Sequence, residues 1–576
     1  MHLASSHGRK HADAPAPGSW SGLGHVETLL ILAGMFLLMY RPHFADAPFN
    51  HAEEGLYLGN IYAIFQGQIP YRDIFMQFGP LNDYLPALAL KLFGPTIFTL
   101  RAYFFFAAIL TVLLTWVLAS RYLRTRFFGY LAAFVLVYEV FSPKWALYWG
   151  GLRHASGLLV ALALLRYLEG VRPRLWLFVA GLLCGLSLLT SIEVGLFATA
   201  ASGLLFLLLS WQRGLSRPEF LGQLAALVGG WALAMAPMLA YFLAHGALQE
   251  YLRIAFYDVP FNHMAKFGQR RFISLGPDAS GLQAWLMWPL SFNFKMYLPF
   301  GAFAATAWLC LRAWRDKALT SWHFALMYLV AYGLPLYLVS FRQFGGPQSQ
   351  ASYGPAIILG LVILEGLYQG RWSAPAPGQA QPAASPLARR ALVALGICLY
   401  LLTAQHMIYT NLRGFIKSKR DDYALLNRHD PNLVPLPLAK AGGVWTSKKD
   451  ARVLVGVVGY LQEFTQPGEA ILVVPEDGAY FFLADRPNLL RFSTPAMAYT
   501  TERFQVEILE RLKRQAVRVV VKRNKTSGHA KHAGKSDRDL MPQFYDCLNE
   551  FYRKKADIGP VSILLHRDMP LFDKDR

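Results

Sequence analysis

Long apolar segments restrict the fold of this chain more than any other feature. About eleven of them reach the ~20 residues that an α-helix needs to cross a membrane. They lie near 25–42, 96–120, 127–141, 155–170, 175–190, 192–211, 221–244, 297–313, 320–340, 352–369 and 391–410. With 54% hydrophobic and only 16% charged residues, the composition excludes an ordinary soluble protein. The sequence therefore predicts a polytopic α-helical membrane protein.

The charge of the loops predicts the orientation of the chain. The connections 121–126 and 171–174 are short and rich in arginine, which is typical of the cytoplasmic side. This places the N-terminal tail 1–24 in the cytoplasm and the first outer loop, 43–95, on the opposite side. The assignment depends on a break at Thr190–Glu193, because one long kinked helix there would invert every later loop.

The composition changes to that of a soluble domain after the last apolar segment. We therefore expect a transmembrane domain over 25–414 and an extracytoplasmic α/β domain over 415–576. Alternating helical and strand patterns predict a small, partly parallel sheet in this second domain. The expected elements are helices 451–464, 502–515 and 540–556, strands 470–474, 517–521 and 561–566, and a loop at 524–537. Its expected role is that of a lid or acceptor platform, or simply stabilisation of the fold.

The cysteines and the net charge exclude other classes of protein. Cys184, Cys310, Cys398 and Cys547 are widely spaced, mostly within apolar segments, so neither a disulfide framework nor a cysteine metal site is expected. The net charge of +20 is explained by lysines and arginines that contact lipid headgroups on the cytoplasmic side. We expect membrane lipids, and no nucleic acid, as partners.

Acidic residues cluster in the first outer loop. Glu53 and Glu54 begin a predicted interfacial helix, and Asp73 follows in a proline-initiated turn. Adjacent residues of a helix point about 100° apart, so one glutamate can face a cavity while the other braces the backbone or an arginine. A carboxylate beside the hydrophobic slab is costly unless it is used or paired. The alternative is that the glutamates complement the helix dipole and that Asp73 caps a helix or pairs with Arg72.

The same loop resembles the first outer loop of the GT-C superfamily, which are integral-membrane glycosyltransferases that use polyprenyl-phosphate sugars. The resemblance is carried in order by Glu53–Tyr57, Gly67–Asp73, Gly79–Leu81, Leu92–Gly94 and Arg101, with a further match at Tyr480–Pro487. It is strongest to the bacterial branch that contains protein O-mannosyltransferase-like enzymes, the lipid A aminoarabinose transferase and lipopolysaccharide galacturonosyltransferases. The resemblance implies a multi-pass protein of the bacterial inner membrane whose C-terminal domain is periplasmic.

The superfamily usually has Asp-Glu where this chain has Glu53-Glu54. Its aspartate is the presumed base on the acceptor hydroxyl, so the resemblance implies that role for Glu53, with Glu54 and Asp73 as supporting acids. The extra methylene leaves the choice between Glu53 and Glu54 open, and Asp46 is an alternative if the loop is threaded differently.

Transfer of a sugar from a lipid phosphate requires a carboxylate that takes the acceptor proton, cations that hold the leaving phosphate, and an apolar groove for the lipid. Candidate cations on the outer face are Lys144, Arg153, His154, Arg271 (beside Arg270) and Arg342. Each has an alternative role. Lys144 can extend its side chain to the membrane surface, Arg153 and His154 can mark the interfacial start of a helix, and Arg270 and Arg271 can contact lipid headgroups. Tyr57, Tyr71 and Gln348 are candidate acceptor or sugar contacts. Tyr148, Trp149, Trp285 and Trp288 fit either sugar stacking or an aromatic belt.

The expected function is inverting transfer of a sugar to a hydroxyl of a glycolipid, glycan or protein acceptor. A transporter or flippase for a lipid-linked sugar is the alternative, although the chain shows few mid-span charges besides Glu193 and no repeated half. A non-catalytic assembly scaffold is the third possibility. No cofactor is expected to be required; a divalent cation bound by His51, His154, Glu53 and Glu54 is the alternative.

Overall fold

The structure is a computed structural model that describes residues 23–263, 281–288, 292–340, 347–370, 385–402, 412–426 and 428–569. The N-terminal tail and the candidate cations Arg270, Arg271 and Arg342 lie outside these residues, as does the side chain of Gln348.

The membrane part is a bundle of apolar helices, and each expected segment overlaps one of them, although residues 403–410 of the last segment lie outside the described residues. The first ten helices are α1 (His25–Met39), α2 (Glu53–Phe65), α3 (Leu81–Phe93), α4 (Ile97–Tyr122), α5 (Arg126–Glu139), α6 (Arg153–Leu168), α7 (Pro173–Thr190), α8 (Ile192–Arg213), α9 (Arg217–Ala244) and α10 (Leu248–Arg253). A π-helix at Ile254–His263 and two short α-helices, Leu282–Met287 and Phe292–Lys295, come next. They are followed by helices Leu298–Arg315, Ser321–Ser340, Pro347–Gln369 and Pro386–Leu402. Among the described residues, five helices are long and apolar enough to cross a membrane: α4, α7, α8, α9 and Ser321–Ser340.

The break expected at Thr190–Glu193 is confirmed. α7 ends at Thr190, Ser191 is extended with φ −147° and ψ 119°, and α8 begins at Ile192. A Cβ atom on Gly195 would lie 2.2 Å from the Leu188 backbone, so the glycine lets the two helices pack directly against each other after the turn. The segment is therefore two helices and not one long kinked helix.

The C-terminal part is an α/β unit. Its strands are β1 (Leu433–Pro435), β2 (Trp445–Ser447), β3 (Leu472–Val474), β4 (Val519–Arg523), β5 (Tyr552–Ile558) and β6 (Val561–His566). Its helices are Leu412–Ala424, Lys448–Phe464, Ala479–Ala484, Glu502–Arg514, Gly528–His532, Asp537–Leu540 and Pro542–Phe551, with 3-10 turns at Ala439–Ala441 and Pro495–Thr500. The main sheet has the order β3-β4-β6-β5, in which only the β3–β4 pair is parallel. The expectation of a partly parallel sheet is thus confirmed.

Two expected elements of this unit are wrong. The helix expected over 540–556 ends at Phe551, and residues 552–558 form the edge strand β5, which pairs with β6 across Gly559. The lysines and arginine of β5 are exposed, as is usual for an edge strand that avoids further pairing. The loop expected over 524–537 contains a short helix, Gly528–His532.

The C-terminal unit packs directly on α2. Side chains of α2 and of Ala479–Ala484 belong to one buried apolar cluster, together with β4 and β6. Two glycines of α2 allow the close approach: a Cβ on Gly55 would lie 3.1 Å from the Gly478 nitrogen, and one on Gly59 would lie 2.7 Å from the Ser493 Cβ. The helix that begins with the two glutamates is therefore fixed from both sides, by membrane helices and by the C-terminal sheet.

A second contact between the two parts is ionic. Arg503 bonds Glu250 of α10 at 2.8 Å and Asp258 at 2.6 Å. Arg491 bonds Glu250 at 3.1 Å and also pairs with Glu507. These arginines tie the C-terminal part to the segment that follows α9.

Candidate active site

Glu54 is the bracing member of the glutamate pair. Its carboxylate accepts two hydrogen bonds from Arg101, at 2.6 Å from Nε and 3.0 Å from Nη2, and a third from the Asn50 backbone N–H at 2.7 Å. Both side chains are buried, with exposures of 0% and 1%. Arg101 also donates to the Ala45 carbonyl at 2.6 Å. A carboxylate bonded in this way holds the loop before α2 on α4.

Glu53 lies one position earlier, and its surroundings differ. Its carboxylate is half-buried and has no hydrogen bond or ion pair with any residue that the structure describes; its backbone N–H donates to the Asn50 side chain at 3.0 Å. Burial raises the pKa of Glu53 from 4.5 to about 7. The positive charge of Arg153 lowers this pKa, and the negative charge of Glu476 raises it further. A carboxyl group with a pKa near neutrality is suited to accept a proton from a hydroxyl group and to release it again.

Arg153 is the nearby cation. It starts α6, is only 3% exposed, and lies between two aromatic rings, with its guanidinium carbon 4.2 Å from the ring centres of Phe78 and Trp149. Its Nε donates to His154 Nε2 at 3.1 Å, and no carboxylate forms a salt bridge with it among the described residues. A buried guanidinium is costly without an anion, and the charges of Glu193 and Glu53 act on Arg153 without forming a salt bridge.

His51 joins the first outer loop to the C-terminal unit. Its Nδ1 lies 2.6 Å from Asp477 Oδ2, and its Nε2 lies 3.4 Å from Asp450 Oδ1. Burial lowers the pKa of His51, but the charge of Asp477 and the hydrogen bonds to both aspartates outweigh it and raise the pKa to about 9. His51 is therefore protonated at neutral pH, and it compensates Asp477, which is 1% exposed.

A cavity of about 750 Å³ lies between the loop before α2, the segment around Lys144 and the C-terminal unit; His51 lines it, whereas Glu53 and Arg153 do not. Residues 46–52, immediately before Glu53, form one wall, and Glu476 and Arg523 belong to the opposite wall. Its charged lining consists of Arg41, Lys144, Arg523, Lys525 and Lys531 as cations, and Asp46, Asp430 and Glu476 as anions, besides His51. The volume fits a small-molecule site, and the excess of cations favours an anionic or strongly polar occupant.

The other predicted site residues are placed as follows. Asp73 is paired with Arg72 at 2.7 Å near the surface. Tyr57 is buried and accepts a hydrogen bond from Asn82, and Tyr71 is buried against Phe242 and donates its hydroxyl hydrogen to the Phe78 carbonyl. These three side chains do not line the cavity.

The candidate polar residues between α5 and the first turn of α6 are divided between two recesses. Lys144 and Tyr148 line the large cavity. His154 and Trp149 line a smaller and mainly apolar recess of about 60 Å³ between α4 and α6. Trp285 is exposed, as expected for an aromatic belt, and it packs near Trp288.

Three acidic residues were missed by sequence reasoning. Asp83 is buried in α3, and burial raises its pKa to about 7, although a hydrogen bond with Asn60 lowers it. Burial also raises the pKa of Glu476, which accepts a hydrogen bond from the Gly528 N–H. Asp83 was recognisable as an acid within the first outer loop, whereas Glu476 and Asp477 follow a strand that had been assigned to a separate domain.

Comparisons with known proteins give structural likeness only. No protein-family profile matches the chain, and no curated protein sequence matches it. ArnT from Cupriavidus metallidurans in the apo state is similar to the chain at 13% identity, 94% coverage of this chain, 97% of that chain and a TM-score of 0.49. ArnT from the same organism bound to undecaprenyl phosphate is similar at 14% identity, with 93% of this chain and 97% of that chain covered and a TM-score of 0.48. An Archaeoglobus fulgidus oligosaccharyltransferase tethered with an acceptor peptide is similar at 14% identity, with 92% of this chain and 72% of that chain covered and a TM-score of 0.45.

These structures belong to the GT-C superfamily that the first outer loop resembles. With identities of 13–14% and TM-scores below 0.5, the likeness leaves the chemistry of this chain to be argued from its own side chains.

Proposed function

We propose that the chain is a membrane glycosyltransferase that moves a sugar from a polyprenyl-phosphate donor to an acceptor hydroxyl at the outer face of the bacterial inner membrane. The observation that carries the proposal concerns two residues that lack a bonded partner within the part of the chain that the structure describes. Glu53 is a half-buried carboxylate without a hydrogen bond or ion pair there, and Arg153 is a buried cation without a salt bridge there. Both are costly to keep in a protein, and a reaction that needs a base beside a leaving phosphate uses both.

The proposed step balances as follows. Glu53 takes the proton of the acceptor hydroxyl, and the hydroxyl oxygen forms a bond to the anomeric carbon of the sugar. The bond between that carbon and the phosphate oxygen breaks, and the phosphate leaves with the electron pair. Arg153 stabilises the developing negative charge. Because the attack comes from the side opposite the phosphate, the anomeric configuration is inverted.

The remaining groups support this arrangement. Glu54 and Arg101 fix the start of α2, which sets the position of Glu53. Lys144 lies in the wall of the large cavity and supplies a further positive charge for the phosphate or for an anionic acceptor. Uncompensated charge in a partly dry site acts more strongly than in water, so burial strengthens the effect of Arg153.

The test separates donor binding from transfer. The full-length protein is placed in nanodiscs, and binding of undecaprenyl phosphate is measured for the wild type, Glu53→Gln and Arg153→Gln. We expect Arg153→Gln to weaken binding at least about tenfold, the loss of one charge-assisted contact, and Glu53→Gln to leave it unchanged. Arg452→Gln, a change at an exposed arginine, is the matched control. Unchanged binding in Arg153→Gln would remove it from the site.

Transfer is followed by mass spectrometry of envelope glycolipids and glycoproteins in cells that lack the chain or make one of its variants. Wild type and Glu463→Gln, a change at an exposed glutamate, should give the same glycan product, and Glu53→Gln should give none. This measurement also identifies the sugar and the acceptor. A normal product with Glu53→Gln would show that Glu53 is not the base. It would favour a transporter or a non-catalytic scaffold over a glycosyltransferase.

The orientation of the site is tested by cysteine labelling. Gln66 is exposed at the end of α2, and Cys398 is the exposed cysteine among four. A Gln66→Cys, Cys398→Ser variant should react with a membrane-impermeant maleimide added outside the cell membrane. Labelling only after the cytoplasmic side is opened would place the site on the wrong face.

A further inference from the structure

Two histidines and one carboxylate converge at the edge of the large cavity, away from Glu53 and Arg153. His43 Nδ1 lies 3.7 Å and His429 Nδ1 lies 2.6 Å from the same oxygen, Asp46 Oδ2. The three ligand atoms lie within 4.8 Å of one another, and all three residues are partly buried. The two imidazole rings have their centres 4.0 Å apart. The residues come from distant parts of the chain, since Asp46 and His429 are 383 positions apart.

The three side chains are held in place by groups outside the cluster. The other carboxylate oxygen of Asp46 accepts a hydrogen bond from the Trp445 backbone N–H at 2.9 Å. The His429 ring stacks on the Trp445 ring, with centres 3.9 Å apart and planes 8° apart. His43 has a φ of 49°, a left-handed conformation that is uncommon for residues other than glycine. Outer contacts that fix a carboxylate and an imidazole are a usual feature of metal centres.

We propose that His43, Asp46 and His429 bind a divalent transition-metal ion, for which Zn²⁺ is the best match. Two imidazole nitrogens and one carboxylate oxygen are a common zinc donor set, with water or another ligand in the remaining position. Zinc bonds of about 2.0–2.2 Å require ligand atoms roughly 3.3 Å apart. The two histidine nitrogens lie 3.7 and 2.6 Å from the Asp46 oxygen, on either side of that value. Side-chain movements of less than an ångström would therefore bring both distances to it.

The position of the cluster gives the ion a role apart from the transfer reaction. His43 and Asp46 precede α2, whereas His429 lies between the helix Leu412–Ala424 and β1 of the C-terminal unit. An ion here links the two parts of the chain that form the large cavity, because Asp46 and the neighbour of His429, Asp430, both line it. Metal bound only by the assembled structure stabilises that structure by mass action.

The experiment uses the full-length protein in detergent, with any affinity tag removed. The protein is treated with a chelator, incubated with Zn²⁺ and desalted, and its metal content is measured by elemental analysis. We expect one zinc per chain for the wild type and for His245→Gln, a control at an exposed histidine outside the cluster. The His43→Gln, His429→Gln double variant should retain none, and His43→Gln alone should bind at least about tenfold more weakly.

Two further measurements address folding and geometry. Zinc should raise the Tm of the wild type and leave that of the double variant unchanged, and Co²⁺ should give the visible absorption of a low-symmetry site in the wild type only. Asp46→Asn is the conservative variant if the double variant does not fold. A full equivalent of zinc in the variants, or none in the wild type, would overturn the proposal. Neither result depends on glycosyl transfer.

Discussion

Replacing Glu54 by glutamine should destabilise the protein, whereas the same replacement at Glu53 should stabilise it above neutral pH. Glu54 accepts hydrogen bonds from Arg101 and from the Asn50 N–H with both carboxylate oxygens. A glutamine has only one oxygen, so its NH₂ group would face another donor, and Arg101 would lose its counter-charge at 1% exposure. Breaking one side of a buried ion pair costs about 3–5 kcal/mol, so we expect Glu54→Gln to lower the free energy of unfolding by this amount.

Glu53→Gln should stabilise the protein above neutral pH. Raising the pKa of Glu53 from 4.5 to about 7 corresponds to about 3 kcal/mol at about 1.4 kcal/mol per pH unit. Because the side chain is half-buried, screening by water reduces this to roughly 1–2 kcal/mol. The folded protein holds the proton more tightly than the unfolded chain. The cost of ionisation is therefore absent below pH 4.5, grows as the pH rises, and is complete above about pH 7.

The assay is thermal unfolding of the full-length protein in nanodiscs at about pH 4.5 and about pH 8. Glu53→Gln should match the wild type at the lower pH and exceed it at the higher pH, whereas Glu54→Gln should fall below it at the higher pH. The double variant Glu54→Gln, Arg101→Met should recover part of the loss because it removes the unpaired cation. If Glu53→Gln is as unstable as Glu54→Gln at the higher pH, its carboxylate has a bonding partner and is not a free base.

Two further predictions follow from the pKa values of the same loop. The rate of glycosyl transfer should rise with pH through about 7, since Glu53 must be ionised to accept a proton; a rate that falls over this range would contradict its role as base, and is measured as a pH profile of product formation. His51→Leu should destabilise the protein by about 3–5 kcal/mol because it removes the cation that forms a salt bridge with the buried Asp477. Since the pKa of His51 is raised from 6.5 to about 9, its stabilisation is complete below pH 6.5 and is lost as the pH rises through 9. The gap in Tm between variant and wild type should close over that range, and a gap independent of pH would show that the charge of His51 is irrelevant.

The local features of the chain could be predicted from its sequence. Apolar length located the helices, and the polar break at Thr190–Glu193 separated α7 from α8. The divergence of Glu53 and Glu54 also followed from helix geometry, because two neighbours on one helix cannot share an environment. A missed local feature was β5, although Gly559-Pro560 between two strand-like segments indicates a hairpin turn.

Partners far apart in the sequence could not be predicted in this way. His51 and Asp477 are separated by 426 positions, and Arg101 and Glu54 by 47. Hydropathy and periodicity describe the environment of a residue but not the identity of the side chain that meets it. The His43, Asp46 and His429 cluster was missed for the same reason, since its spacing matches no short ligand motif.

These long-range contacts argue against a C-terminal domain that opens as a lid. Opening would separate Gly55 and Gly59 from the Gly478 and Ser493 segments that they touch, and would expose the apolar cluster that they share. It would also part His51 from Asp477, which leaves an uncompensated carboxylate where the two surfaces meet. Each of these changes costs free energy, and they occur together because the same short segment carries all of them. The C-terminal unit therefore stays in place as one wall of the large cavity.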